Sequence, residues 1–314
     1  MSNNAQIITP KKKFRLLRQI WLNRQTYLII LPGLIFYVVF SYMPMPGLLI
    51  AFKEYNAKLG IWGSKWVGGL NYFFVFRDPL FWRAMWNTIT ISLQRLCFQF
   101  PVPIILALMI NELAMRRYKR VLQTIYTFPH FLSWVIVAGI MFNLFEAKGL
   151  VNNILEALGY QSMNFLTSTS LIRPLLYITE NWKSAGWSAI IYLAAIAGID
   201  QEQYESAIID GSSRFQRVIY ITLPGIRETI IVLFILAVGG IMNAGFDQIF
   251  NLGNTAVQGK IDMLDWYIYR VTFQGNTDFG FSTAISLMKA VINFAFLLAA
   301  NQVSRIVAKT GLFV

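Results

Sequence analysis

Residues 201–224 read Gln-Glu-Gln-Tyr-Glu-Ser-Ala-Ile-Ile-Asp-Gly-Ser-Ser-Arg-Phe-Gln-Arg-Val-Ile-Tyr-Ile-Thr-Leu-Pro, a polar stretch between two strongly apolar ones. Asp200 can cap a helix start, and Gln203 three residues on completes a capping-box pattern. Tyr204, Ala207 and Ile208 then fall on one helical face. Gly211 suits a tight C-terminal turn where a side chain would clash. Ser212 or Ser213 can cap a second short helix, in which Phe215, Val218 and Ile219 share a face. Pro224 ends that helix or re-aims the chain. Two short helices at a sharp angle make a compact, rigid knob that can sit in a groove on a partner and transmit its motion.

The flanks say what the knob projects from. The chain has 314 residues, 56% hydrophobic and 13% charged, against about 25% charged in soluble domains. Mean hydropathy is +0.52. This composition describes an all-α polytopic membrane protein, since backbone polar groups left unpaired in lipid are prohibitive. The net charge of +12 does not point to nucleic acid, because the basic residues sit at the ends of apolar runs and form no aromatic-interleaved patch. One cysteine, Cys97, can build neither a disulfide framework nor a thiolate metal site.

Lys11, Lys12, Lys13, Arg15 and Arg18 precede an apolar run, as in a cleaved signal peptide. Residues 25–52, however, carry no charge over 28 positions, too long for a signal core of about 7–15 residues and enough to span a bilayer. Six spans are the economical count, at roughly 26–50, 84–111, 121–145, 176–199, 229–249 and 282–304. With the N-terminus inside, the inner segments hold fifteen basic and six acidic residues and the outer segments ten and nine. That asymmetry places both termini and the 200–227 loop in the cytoplasm. The expected organisation is a basic cytoplasmic N-terminus (1–25), a first span with its external loop (26–83), a five-helix core (84–308) containing the 200–224 loop, and a cytoplasmic C-terminus (309–314). Trp62, Trp66 and Trp82 in the first outer segment read as interfacial anchors or as support for an external partner.

Polar groups inside spans are the candidates for touching a cargo: Arg95, Gln94 and Gln99 in the second, Trp187 and Tyr192 in the fourth, Asn243 and Asp247 in the fifth, Lys289 and Asn293 in the sixth. An intramembrane charge is expensive and defaults to function. Alternatively, Arg95 or Lys289 pairs with Asp247 or a backbone carbonyl, and the amides join neighbouring helices. His130 reads as structural, and nothing suggests a metal. A phosphate cradle needs Gly, four residues, then Gly-Lys-Ser/Thr. The nearest stretch, Gly253 to Gly259-Lys260-Ile261, has five intervening residues and ends in Ile, so no nucleotide site is expected.

Within 201–224, Glu205, Ala207, Gly211, Ile221, Leu223 and Pro224 resemble the docking loop of binding-protein-dependent ABC importer permeases of the MetI-like, type I class. That pattern is Glu-Ala-Ala, three residues, Gly, nine residues, Ile-x-Leu-Pro, and only Ser206 departs from it. The resemblance extends over most of the chain to the carbohydrate-uptake subfamily of LplB type. It includes Leu31-Pro32-Gly33, Tyr42 to Gly47, Ala51 to Asn56, Gly60 to Ser64, Asn87-Thr88, Pro103 to Leu108 with Asn111-Glu112, and Phe128 to Trp134. It implies a type I permease core of about six spans that carries oligosaccharides or polysaccharide fragments across a bacterial plasma membrane without catalysing a reaction. It implies as partners a second, different permease chain, two ATPase subunits that bind ATP and Mg, and an external sugar-binding protein. Glu205, Ser206, Ala207 and Gly211 would shape the knob, and Ile221, Leu223 and Pro224 its exit. An ion-coupled carrier would favour inverted repeats and broken helices. A membrane-embedded enzyme would need converging acids, bases or a metal set.

Overall fold

A computed structural model describes residues 19, 21–243, 245–275 and 277–308, with 307 and 308 by backbone alone. Most of the expected N-terminal segment 1–25, and all of 309–314, lie outside the described residues. The chain is almost wholly helical; the strands described are a two-residue pair, β1 (Lys53–Glu54) antiparallel to β2 (Lys65–Trp66).

Helix α1 (Arg24–Tyr37) runs on through a π turn, Val38–Tyr42, and a 3-10 stretch, Met45–Phe52, as one apolar segment of 29 residues. A short α2 (Leu70–Arg77) leads to α3 (Pro79–Gln99), whose start is fixed by Asp78 accepting from Leu80 N–H (2.8 Å) with Pro79 at the first position. There the lost proline N–H costs nothing. Pro101 breaks the span and begins α4 (Pro101–Asn111); α3 and α4 together are 33 residues long. Three of the four stretches long and apolar enough to cross a membrane are thus Arg24–Phe52, Pro79–Asn111 and Phe279–Ile306, matching the first, second and sixth expected spans.

The other expected spans need correction. Residues 121–145 are not one helix. Strongly amphipathic α5 (Arg116–Thr127) ends in a 3-10 turn at Phe128–Phe131, and α6 (Trp134–Phe145) starts afresh with Ser133 as its cap. Pro129 cannot donate the bond that would continue α5. The fourth apolar stretch is therefore Trp134–Ala157, formed by α6 with α7 (Leu150–Ala157). Expected span 176–199 is α8 (Ile172–Ala197), 26 residues. That length suffices to cross a bilayer, yet it is not among the four apolar stretches. Expected span 229–249 breaks: α11 (Arg227–Gly239) stops and α12 (Phe246–Leu252) begins after Gly245, which has φ +80°. The helical segment Arg214–Gly225 is bent by 62° against α11, and counting that pair as one span makes a fifth. Beyond α12 lie α13 (Leu264–Phe273) and the long α14 (Phe279–Ala308).

Helix α8 is the centre of the bundle, packed against α3, α4, α5 and the Phe128–Phe131 turn. Its buried residues include Leu176, Thr179, Lys183, Gly186, Ala189 and Tyr192. Three apolar clusters surround it. Ala107, Ala189, Tyr192, Ile196 and Ile226 join α4, α8 and the start of α11. Ile91, Val137, Leu176, Ile249 and Leu252 join α3, α6, α8 and α12. Ala51, Phe81, Met85, Leu264, Tyr267 and Ile285 join α3, α13 and α14 to the end of the first span.

Candidate functional site

Between α8 and α11 the polar stretch folds as two helices, α9 (Gln201–Ile209) and α10 (Arg214–Arg217). Asp200 caps α9 by accepting from Glu202 N–H at 3.1 Å, so the cap rests on Glu202 and not on the expected box with Gln203. Gly211 has φ +76°. Its N–H donates to Ile208 O (3.0 Å), and Ser212 N–H donates to Ala207 O (2.9 Å). This is the paired closure of a Schellman turn, whose left-handed residue is sterically costly for anything but glycine. Ser213 and Gln216 form a full capping box for α10, with Ser213 N–H donating to Gln216 Oε1 at 2.7 Å. Tyr204 and Thr222 hydroxyls meet at 2.9 Å and Arg217 donates to Ser212 O at 2.8 Å, so the two helices and the exit are held as one piece.

Glu205 and Ser206 are exposed on α9, Ala207 is half-buried at its inner side, Ile221 and Leu223 are half-buried at the exit, and Pro224 is exposed. Ile209, Phe215 and Tyr220 stand out as apolar side chains at 86%, 73% and 75% exposure. Of the expected shared face of Phe215, Val218 and Ile219, Phe215 is turned outward, Ile219 is only just exposed and Val218 is half-buried.

The second feature is a cavity of about 410 Å³ between α3, α4, α8 and α11, walled by Ser92, Arg95, Gln99, Glu180, Ser188, Tyr192 and Asn243 among others. A smaller one of about 120 Å³ shares Gln99, Pro103, Glu180 and Ser188 with it. Both helix breaks serve the cavity. The first, at Phe100–Pro101, leaves Gln99 and Phe100 in the wall, and the second, after Gly239, leaves Gly240, Asn243 and Gly245 there. A Cβ on Gly245 would lie 2.4 Å from an Arg95 terminal nitrogen, so the guanidinium rests on bare backbone.

Arg95 donates to Gln248 Oε1. The Gln248 amide nitrogen donates to Leu176 O and Thr179 Oγ1, each at 2.8 Å. Glu180 accepts from Ser184 at 2.7 Å. Ser92 Oγ and Gln99 Nε2 are buried without a hydrogen-bond partner among the described residues. The cavity wall thus brings together one guanidinium, one carboxylate, hydroxyls and amides. Such a set suits a ligand rich in hydroxyl groups.

Of the residues expected to touch cargo, Arg95, Gln99, Tyr192 and Asn243 come together here. Lys289 does not, as it pairs with Asp265 of α13 at 2.5 Å. Asn293 accepts from Met242 N–H (3.0 Å) and so steadies the α11 break from behind. Trp187 stacks on His130, ring centroids 4.7 Å apart and 5° from parallel. Asp247 pairs with neither charge in the structure, and its carbonyl accepts from Asn251. Gln94 accepts from the Tyr177 hydroxyl. Glu180, Ser92 and Ser188 were missed by sequence reasoning. The rule that flags Arg95 applies equally to Glu180, which lies within the fourth expected span.

On the side away from the knob, Asp262 is fully buried between Arg270 (2.5 Å) and Arg83 (3.4 Å). Asn87 donates to the carbonyls of Gly259 and Asp262, both at 3.1 Å, and accepts from Arg173. Burial pushes the Asp262 carboxyl up, against the pull of the two arginines. Among the described residues no group of His, Cys, Asp and Glu could hold a metal ion.

Comparison with known proteins gives a consistent result. Residues 99–309 match the family described as binding-protein-dependent transport system inner membrane component. The chain is 39% identical to Protein LplB of Bacillus subtilis, over 99% of this chain and 98% of that one. It is 37% identical to the polygalacturonan/rhamnogalacturonan transport system permease protein YteP of the same species, over 99% and 97%. Among solved structures it resembles a chain of a bacterial alginate ABC transporter in complex with an alginate pentasaccharide-bound periplasmic protein. There the TM-score is 0.86 at 39% identity, covering 95% of this chain and all of that one.

Proposed function

We infer what the chain does from one premise: it belongs to the family of binding-protein-dependent transport system inner membrane components. It is a multi-pass inner-membrane permease subunit of a carbohydrate ABC importer, working with an external binding protein, a second permease and ATPase subunits.

The finer reading concerns how it works. The cargo is an oligosaccharide or polysaccharide fragment that passes along the cavity, where Ser92, Gln99 and Asn243 exchange hydrogen bonds with sugar hydroxyls. Arg95 and Glu180 set the local charge. The observation behind this reading is the polar wall of the cavity, where Ser92, Arg95, Gln99, Glu180, Ser188 and Asn243 converge between the helices. ATP and Mg are bound by the partner ATPase, and the permease chain itself performs no catalysis. Both termini and the knob face the cytoplasm, in keeping with the excess of lysine and arginine there. Glu205, Ser206, Ala207, Gly211, Ile221, Leu223 and Pro224 build the knob and its exit, and the exposed Ile209, Phe215 and Tyr220 offer an apolar surface for the ATPase.

The test is substrate-stimulated ATP hydrolysis by the whole complex over a panel of neutral and uronate-containing oligosaccharides. Gln99→Leu should raise the sugar concentration needed for half-stimulation while leaving assembly intact. Gly211→Val with Glu205→Arg should leave the subunit in the membrane but abolish stimulation. Wild-type behaviour of both variants would refute the assigned roles.

A further inference from the structure

Helix α5 has a side that the described residues of its own chain leave open. It packs on α8 and α4, so closely that a Cβ on Gly186 of α8 would lie 2.0 Å from Tyr126 O. Yet none of its residues is buried. Arg116, Lys119, Arg120 and Gln123, at three- and four-residue spacing and hence on one face, line a cavity of about 460 Å³ with Leu113 and Ala114. No carboxylate is in that wall. Lys119 is held in place by Asn111 Oδ1 at 3.2 Å. Like charges at positions 116 and 120 repel, so an anion between them relieves strain.

The same stripe continues. Gln123 also belongs to a second cavity of about 300 Å³, with Thr124, Thr127, Phe128 and Phe131. Phe128 and Phe131 are 61% and 69% exposed. The surface therefore grades along one line from three cations, through an amide and two hydroxyls, to bare aromatic rings. The cationic end lies on the knob side of the bundle. Ala107 of α4 shares an apolar cluster with Ile196 and Ile226, which flank the knob, and α5 begins soon after α4 ends. From Arg116 to Thr127 the helix rises about 17 Å, close to the roughly 15 Å depth of half a bilayer core.

We propose that this stripe binds one anionic phospholipid of the leaflet on the knob side. Its phosphate lies between Arg116, Lys119 and Arg120, and an acyl chain runs over Phe128 and Phe131. Guanidinium groups match phosphate oxygens in forked geometry. An acidic protein surface would satisfy the cations but gives no reason for the stripe to run on into apolar rings. The inference is independent of which sugar is carried.

Native mass spectrometry of the whole complex tests this, after incubation with phosphatidylglycerol or phosphatidylcholine of identical acyl chains. Wild type should retain phosphatidylglycerol and not phosphatidylcholine. Arg116→Gln should lower retention about fivefold, and the double change with Arg120→Gln roughly thirtyfold. Basal ATP hydrolysis serves as the check that the complex is assembled. Phe131→Asp, which leaves the cations in place, should also lower retention, separating a lipid from a simple phosphate site. Equal retention of the two lipids, undiminished retention in the double variant, displacement by inorganic phosphate, or loss of a protein subunit in place of lipid would each overturn the proposal.

Discussion

Helices α1 and α8 are opposites. The segment Arg24–Phe52 is free of charge from Gln25 to its end, and no part of its most apolar window is buried. Helix α8 carries Arg173, Glu180 and Lys183, is not among the four apolar stretches, and has more buried residues than any other helix detailed above. In water the apolar helix would be the buried one. In a bilayer the surroundings are already apolar, so burial is driven by close packing and by polar groups finding partners. The most apolar element is left on the outside, for lipid or a second subunit, and a long helix carrying three charges takes the centre. Lys183 shows the logic: buried in α8, it donates to His130 O at 2.9 Å and lies 5.8 Å from the Trp134 ring.

The sharpest way to break the contrast is at the closest approach in the bundle. Gly186→Leu places side-chain atoms where the Tyr126 carbonyl stands. Overpacking typically costs about 1–3 kcal/mol, and a backbone obstacle should exceed the upper end. The expected result is loss of folded subunit, read as recovery after size-exclusion of the detergent-solubilised complex. Normal recovery would mean that α8 is not the packed centre.

Gln248→Leu comes next. It keeps the volume but removes the partner that Arg95, Leu176 and Thr179 share, and should destabilise by about 1–3 kcal/mol. Thermal unfolding of the complex checks this, and no fall in midpoint would show that Arg95 is adequately held by its other contacts.

A smaller effect is expected at Asp262, outside the spans. Its folded-state pKa is raised, burial outweighing Arg270 and Arg83. A carboxyl raised on folding contributes stability while protonated and loses it as pH rises through the folded value. Asp262→Asn should therefore be neutral to slightly stabilising at pH 7, with the wild-type disadvantage fading as pH falls toward the usual aspartate range. A marked loss of stability at pH 7 would show that the ion pairs outweigh burial after all. Smallest of all, Leu28→Ala with Ile29→Ala in α1 should move the unfolding midpoint by the equivalent of no more than about 0.5 kcal/mol. A large drop would mean that α1 belongs to the core and would erase the contrast.

The same contrast explains how far the sequence could be read. Runs at 25–52 and 282–304 are legible because composition alone selects lipid-facing helices. The knob is legible because its turn and cap residues, Asp200, Gly211 and Ser213, each have a local mechanism. The breaks at 128–133 and after Gly239 were missed because apolar composition continues across them. Hydropathy records what a residue is, while the break depends on backbone, and Pro129, Gly239, Gly240 and Gly245 were the available signals. Lys289 was expected to line the route on the strength of its charge, but its carboxylate, Asp265, lies 24 positions away in a segment read as external.

One side chain limits how such a bundle can open. The Gln248 amide has an acceptor engaged by α3 and a donor group engaged twice by α8, while its own backbone belongs to α12. Pulling any leg of that tripod away leaves a buried polar group without its partner. The three helices are therefore latched into a single rigid wedge. The seams of that wedge are the Phe100–Pro101 joint after α3 and the non-helical residues 240–243 that follow α11.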